Sequence, residues 1–558
     1  MFLAALAASA QNLEAIGDQQ PIRVSGGLSL TQIGYAVNGI PARRAPYNYF
    51  LSGALNLDIY GMAIPVSFML SNQSSSIRQP FNQFGINPIY KDFTGHLGFN
   101  SMAWSPYTLN GHIFLGVGVD YKPKDSRFNA SVMWGRLQKA VQPDSLATNN
   151  VPYFQRMGYG VKIGYDYNGD YVHLITFRAA DDPSSLNYVP EKEGVLPQQN
   201  LVLSVQAGKR IGKLSVTGEV AGSAINRDVR VSEAGLEKKN LFSYTGPLFK
   251  HTNSSEYYNA YKGNISYREE YFTIGLGYER VDPGYRTLGA YYFNNDLRNI
   301  TFNATTNLLR NKLNIATSIG TQKNNLDKKE ANEMNRYIGS VNASYAPTAK
   351  LALNASYSNF TTYTFIRSAF QQINQVVPVT QLDTLNYTQL SESSTLGASY
   401  MLTNTSERRR MMMTNISYQK ATDKQGGEIR NTGSRFINAN FSYTQQYPKT
   451  GLGFTLAFNT NMSTAGDIKS SMMGPTGGVN KSFFKKKMLT SITVSRNSQV
   501  INEQKNNNIT NMRLMASYRV QQRHNFSLSG IVLSKDSKVT TTPGFTEYTV
   551  TLGYNYNF

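Results

Sequence analysis

Apolar and polar side chains alternate with a period of two through most of the chain. At its end, Tyr548, Val550, Leu552, Tyr554, Tyr556 and Phe558 interleave with Thr549, Thr551, Gly553, Asn555 and Asn557. The same rhythm sets Ile437, Ala439, Phe441 and Tyr443 against Asn438, Asn440 and Ser442, and Met157, Tyr159, Val161 and Ile163 against Gly158, Gly160, Lys162 and Gly164. Successive side chains of a strand point to opposite faces, so each segment is a strand with one greasy face and one small or wet face. Carried from residue 22 to 558, the pattern predicts about 24 strands, within roughly 22 to 26, of the length that crosses a bilayer.

The connections between these strands alternate in length. Short turns fall at Tyr60-Gly61, Lys122 to Asp125, Asn168-Gly169, Ile211-Gly212, Arg268-Glu269, Leu309 to Asn311, Pro448-Lys449 and Gln521-Gln522. Long connections occupy 73–110, 140–151, 181–198, 226–254, 282–297, 323–334 and 363–391. Outer-membrane barrels have short periplasmic turns and longer outer loops, so both termini are expected on the periplasmic side. The ambiguous segment is 73–110, where Gly95 to Trp104 reads equally as one more strand; an even total then requires a second.

Composition sharpens this picture. Of 558 residues, 36 are Tyr and 28 Phe against 2 Trp, and only 16% are charged, below the ~25% of a soluble domain. Tyr suits a membrane interface, with its ring in hydrocarbon and its hydroxyl among headgroups. No run of 18 apolar residues occurs, so the sequence contains no helical membrane span. In lipid a sheet must close on itself, because open edges leave hydrogen bonds unmet. The fold expected is all-β: a transmembrane antiparallel β-barrel, residues 22–558, forming a single domain.

Residues 1–10 (MFLAALAASA) read as the end of an export signal, apolar and then small-x-small before Gln11, with 11–21 a periplasmic lead-in. Cysteine is absent, and the net charge of +20 is dispersed, with no basic block longer than Arg408-Arg409-Arg410 or Lys485-Lys486-Lys487. That distribution suits an anionic lipid surface or a cation-lined pore, and nucleic acid is not expected as a partner.

With the amphipathic last strand YTVTLGYNYNF on the page, the chain resembles Gram-negative outer-membrane β-barrel proteins. The resemblance implies that Tyr554, Tyr556 and Phe558 are read by the barrel-assembly machinery, and that lipid and lipopolysaccharide surround the wall. Ile64-Pro65-Val66-Ser67-Phe68, Gln79-Pro80-Phe81-Asn82 and Asp282-Pro283-Gly284-Tyr285 faintly resemble large, uncharacterised outer-membrane barrels of the Bacteroidetes. TonB-dependent transporters carry a globular N-terminal plug; here strand signals begin at Ile22, so a plug-less barrel is expected.

Candidate chemistry is sparse. His96, His112, His173, His251 and His524 are scattered, without a helical HExxH pattern, so no enzyme, metal or cofactor is expected. Lys162, Asp166, Glu219, Arg513 and Arg519 fall on the polar phase and should face the lumen. Rings of Lys or Arg favour anions, but these cations could equally pair with lumen carboxylates. In the 73–110 segment, Phe81, Phe84, Tyr90, Phe93, Phe99 and Trp104 need something to bury against. They form a constriction loop over or inside the mouth, an outer cap, or an extra strand. Two functions fit these features. One is an outer-membrane pore or translocation channel for solutes or polypeptide, gated by its loops or a partner. The other is a non-conducting adaptor barrel that docks surface proteins through its outer loops.

Overall fold

The computed structural model describes residues 22–59, 62–72, 82–143, 152–191, 194–233, 241–329, 335–359, 388–425, 428–429, 433–539 and 543–558. Residues 1–21, including the expected export signal, and Phe81 lie outside them.

Every barrel strand pairs antiparallel with its sequence neighbour, and the first pairs with the last. Ile22–Asn38 runs against Tyr47–Ile59 on one side and Phe545–Asn557 on the other. At the seam, Gly26 and Phe558 exchange backbone hydrogen bonds of 3.2 and 3.1 Å. The wall is therefore closed, and no barrel strand among the described residues lacks a neighbour on either side. It contains 26 strands, with the two-residue piece Glu428–Ile429 as an extra in one connection.

The expected count of about 24 is corrected upward here, and both additional strands come from the 73–110 segment. Phe93–Ala103 is one. The other is broken into Gln83–Ile86 and Ile89–Tyr90, which share one position between Met62–Ser71 and Phe93–Ala103. Asn87-Pro88 interrupts the alternation, because Pro cannot donate to the ladder. Pairing survives the break through Asn87 N–H to Pro65 O (2.8 Å) and Gly95 N–H to Pro88 O (2.7 Å).

Both chain ends of the barrel lie at the rim of short turns. There Asn168 and Gly169 take φ of 51° and 89°, and Gln521 and Gln522 take 49° and 61°. Two-residue turns with positive φ match the right-handed twist of the flanking strands. At the opposite rim the connections are mostly long, but they shrink to Gly466-Asp467 and Asn502-Glu503 near the chain end.

The two faces of the wall differ as the alternation requires. Val132, Trp134, Ile163, Leu174, Val220, Leu276, Leu456, Phe458, Ile492 and Leu552 are exposed on the outer phase. Their strand neighbours Ser131, Ile175, Asn459 and Ser495 are buried on the inner one.

Candidate functional site: the lumen and an inward-folded block

Two connections, 104–109 and 282–296, leave the wall and meet each other. Eight strands separate them along the wall, an arc of about 40 Å at strand spacing. Contact between them is therefore geometrically open only across the interior. Tyr285 Oη donates to the Tyr107 carbonyl at 2.9 Å, Thr287 Oγ1 to the Thr108 carbonyl at 2.7 Å, and Asn110 N–H to the Gly289 carbonyl at 2.9 Å.

The first segment is a tight turn, closed by Trp104 N–H to the Leu109 carbonyl at 2.9 Å and by Tyr107 N–H to Ser105 Oγ at 3.0 Å. It is pinned at mid-depth. Ser105 Oγ donates to the Glu219 carboxylate, which also accepts from Ser204 Oγ at 2.8 Å and from Gln206 Nε2 at 3.0 Å. Glu219 sits near the middle of Leu214–Asn226, so the turn reaches far below the rim. Tyr107 Oη donates to Glu279 at 2.6 Å.

Apolar burial completes the block. Met102, Trp104, Leu109, Phe114, Met133, Leu137, Ile175, Phe177 and Leu288 form one buried cluster, and Tyr107, Tyr285, Ala260 and Val281 another. Close approach needs glycine in two places. A Cβ on Gly160 would sit 2.6 Å from the Trp104 ring, and one on Gly289 2.6 Å from the Thr108 carbonyl. Asn200 ties the second segment to the wall, accepting from Leu288 N–H at 3.1 Å, while Ser223 Oγ donates to the Arg286 carbonyl at 2.6 Å. Above the block, Arg156 and Asp181 form a buried two-point ion pair at 2.7 and 2.9 Å, and Asp181 also accepts from Gln198 N–H at 2.9 Å.

The inner face of the C-terminal half is different in kind. Asn438, Asn440, Asn459, Asn461, Thr476, Ser495 and Asn497 line consecutive strands. Asn459 Nδ2 donates to Thr476 Oγ1 at 3.0 Å, and Asn440 and Asn461 donate to Asn459 and Asn438. This wall is polar and mostly uncharged.

The residues singled out from sequence separate into three groups. Lys162, Asp166, Glu219, Arg513 and Arg519 all stand on the inner phase, but not as one ring. Glu219 is engaged in holding the block, and Asp166 takes His173 Nε2 at 2.8 Å across the Asn168-Gly169 hairpin. His96 likewise meets Asp120 at 2.9 Å. Phe84, Tyr90, Phe93 and Phe99 belong to wall strands and stand on the outer phase; Phe84 is 57% exposed and packs edge-on to Phe99 at 6.1 Å. The expected constriction loop is corrected on this point, since period-two geometry sends those rings outward, and of the described members only Trp104 turns inward. Tyr554, Tyr556 and Phe558 form an outer aromatic ladder at the seam, with Phe526 4.9 Å from Tyr554 and Phe558 5.2 Å from Tyr556.

Tyr107, Asn200 and Glu279 carry no signal in the sequence that points to this block, and Tyr285 stands out there only as the end of Asp282-Pro283-Gly284-Tyr285. A usable signal was present in Gly158 and Gly160, which put no side chain on an inner face and so make room for something else.

No family model matches the chain, and no curated protein matches it in sequence. Among solved structures it is similar to Acinetobacter baumannii OccAB2 at 11% identity, covering 69% of this chain and 98% of that one, with a TM-score of 0.27. It is also similar to the outer membrane protein OprD from Pseudomonas aeruginosa at 10% identity, covering 65% and 89%, with a TM-score of 0.30. A third similarity is to the translocation pore of the P pilus usher PapC, at 10% identity over 96% and 99%, with a TM-score of 0.36.

Proposed function

We propose that this protein is an outer-membrane channel whose bore is filled on one side by its own inward block and lined on the other by an amide- and hydroxyl-rich wall. The observation that carries this reading is the contrast between the two faces of an edgeless sheet. Exposed apolar rows outside suit hydrocarbon, and pairing of the first strand with the last removes the open edge that would need water. An interior faced with Asn, Ser and Thr suits hydrated polar solutes or an extended polypeptide, with size and charge as the filter. Lys162, Arg513 and Arg519 supply the charge component, and the termini face the periplasm. Tyr554, Tyr556 and Phe558 serve as the assembly signal.

Reconstitution of the folded protein in planar bilayers tests the reading. Stable stepwise ion currents are expected. A protein that is folded and inserted but electrically silent would overturn the channel and favour an adaptor barrel with a sealed lumen.

A further inference from the structure

The charge that looks dispersed along the sequence is gathered by the fold. Turn segments 122–124, 209–213, 310–312, 408–410 and 485–487 each carry two or three Lys or Arg. Antiparallel order puts all five at the short-turn rim, spread around the circumference. Arg408, Arg409, Lys485, Lys486 and Lys487 are exposed there.

The opposite rim carries charge of both signs and neutralises much of it internally. Arg230 bridges Asp228 at 2.7 Å and Glu191 at 2.8 Å, Lys250 meets Glu233 at 2.7 Å, and Lys538 meets Asp536 at 2.7 Å. At the short-turn rim, the pairs Lys209–Asp170, Lys213–Glu269 and Lys449–Glu407 leave the runs 408–410 and 485–487 without an ion pair among the described residues.

These cations adjoin an aromatic belt. The Arg127 guanidinium lies 3.9 Å from the centre of the Tyr167 ring, and Phe484 packs edge-on to Tyr518 at 6.1 Å. Rings at this height mark the boundary between hydrocarbon and headgroups, and Lys and Arg just beyond it lie at the depth of lipid phosphates. A protein partner would call for a patch on one side. Cationic turns spaced around the whole rim match what encloses a barrel on all sides, namely lipid.

We propose that the short-turn rim is a collar that binds anionic phospholipid headgroups of the adjoining leaflet, resting on the membrane reading above. The full-length folded barrel is reconstituted in phosphatidylcholine vesicles carrying spin-labelled phosphatidylglycerol or spin-labelled phosphatidylcholine. The protein-restricted fraction of each label is then measured by electron spin resonance. At low salt the anionic label is expected to be preferred about threefold to fivefold, with the preference collapsing in molar salt. Replacing the two runs by glutamine (R408Q, R409Q, R410Q, K485Q, K486Q, K487Q) should remove most of the preference. The control K469Q, K505Q at the other rim should keep it.

Equal restriction of the two labels by the inserted wild-type barrel would overturn the collar and leave the membrane reading standing. So would a preference unchanged in the six-site variant, or a rim that captures acidic polypeptide while ignoring lipid charge. A folded barrel that restricts neither label has failed to insert, which would defeat the membrane reading itself.

Discussion

The phenol of Tyr285 donates to the backbone carbonyl of Tyr107, 178 positions earlier, at 2.9 Å, and both rings are essentially buried. That bond joins two connections from distant parts of the wall into one inward body. It makes the interior lopsided, packed in the N-terminal half and polar in the C-terminal half. On the proposed channel reading, the width of the bore depends on how firmly the block is held.

Glu219 is the deepest anchor of that block. Glu219→Leu removes the acceptor for Ser105, Ser204 and Gln206, bonds worth roughly 1.5–3 kcal/mol each when the acceptor is a carboxylate. Single-channel conductance should rise and become noisier, while the barrel keeps its compact electrophoretic mobility. Unchanged currents would separate the 104–109 turn from control of the bore.

Arg156→Ala should be more damaging than loss of a surface ion pair. It strands the Asp181 carboxylate, whose side chain is only 3% exposed, at a cost of about 3–5 kcal/mol. The double variant Arg156→Ala with Asp181→Ala should recover part of the loss. Thermal unfolding and limited proteolysis within 183–198, the segment tied to Asp181 through Gln198, report both effects.

A paired substitution tests which face meets lipid. Ile492 is 45% exposed on the outer phase, and Ser491 precedes it on the inner one. Ile492→Arg should cost about 2–4 kcal/mol in folding into vesicles, whereas Ser491→Arg should cost far less, as read by urea titration of the inserted state. Equal penalties would contradict the assignment of inside and outside.

The loop at Asp228, on the rim opposite the short turns, should loosen in acid. The Arg230 guanidinium beside it holds its carboxyl below the ordinary carboxylate range. A depressed folded pKa gives stability that is complete above the unfolded value and is lost as pH falls through the folded one. Protease cleavage within 226–233 should rise between mildly acidic pH and pH values below the ordinary Asp range. Asp228→Asn should remove that pH dependence.

How much of this was legible beforehand follows from the range of each interaction. The closed all-β architecture, the inner phase of Lys162 and Glu219 and the turn at Asn168-Gly169 depend on neighbours two residues apart or on one tight bend. The sequence by itself determined these. The total of 26 strands was obscured where Asn87-Pro88 breaks the rhythm, since a strand with a missing donor reads as a loop until its partners at Pro65 and Gly95 are seen. The inward block belongs to the tertiary structure alone. Nothing within a few residues of Tyr107 or Tyr285 fixes their meeting; it requires the sheet to curl until eight intervening strands bring the two connections face to face. The collar has the same origin, because only alternating strand direction turns scattered Lys and Arg into one charged rim.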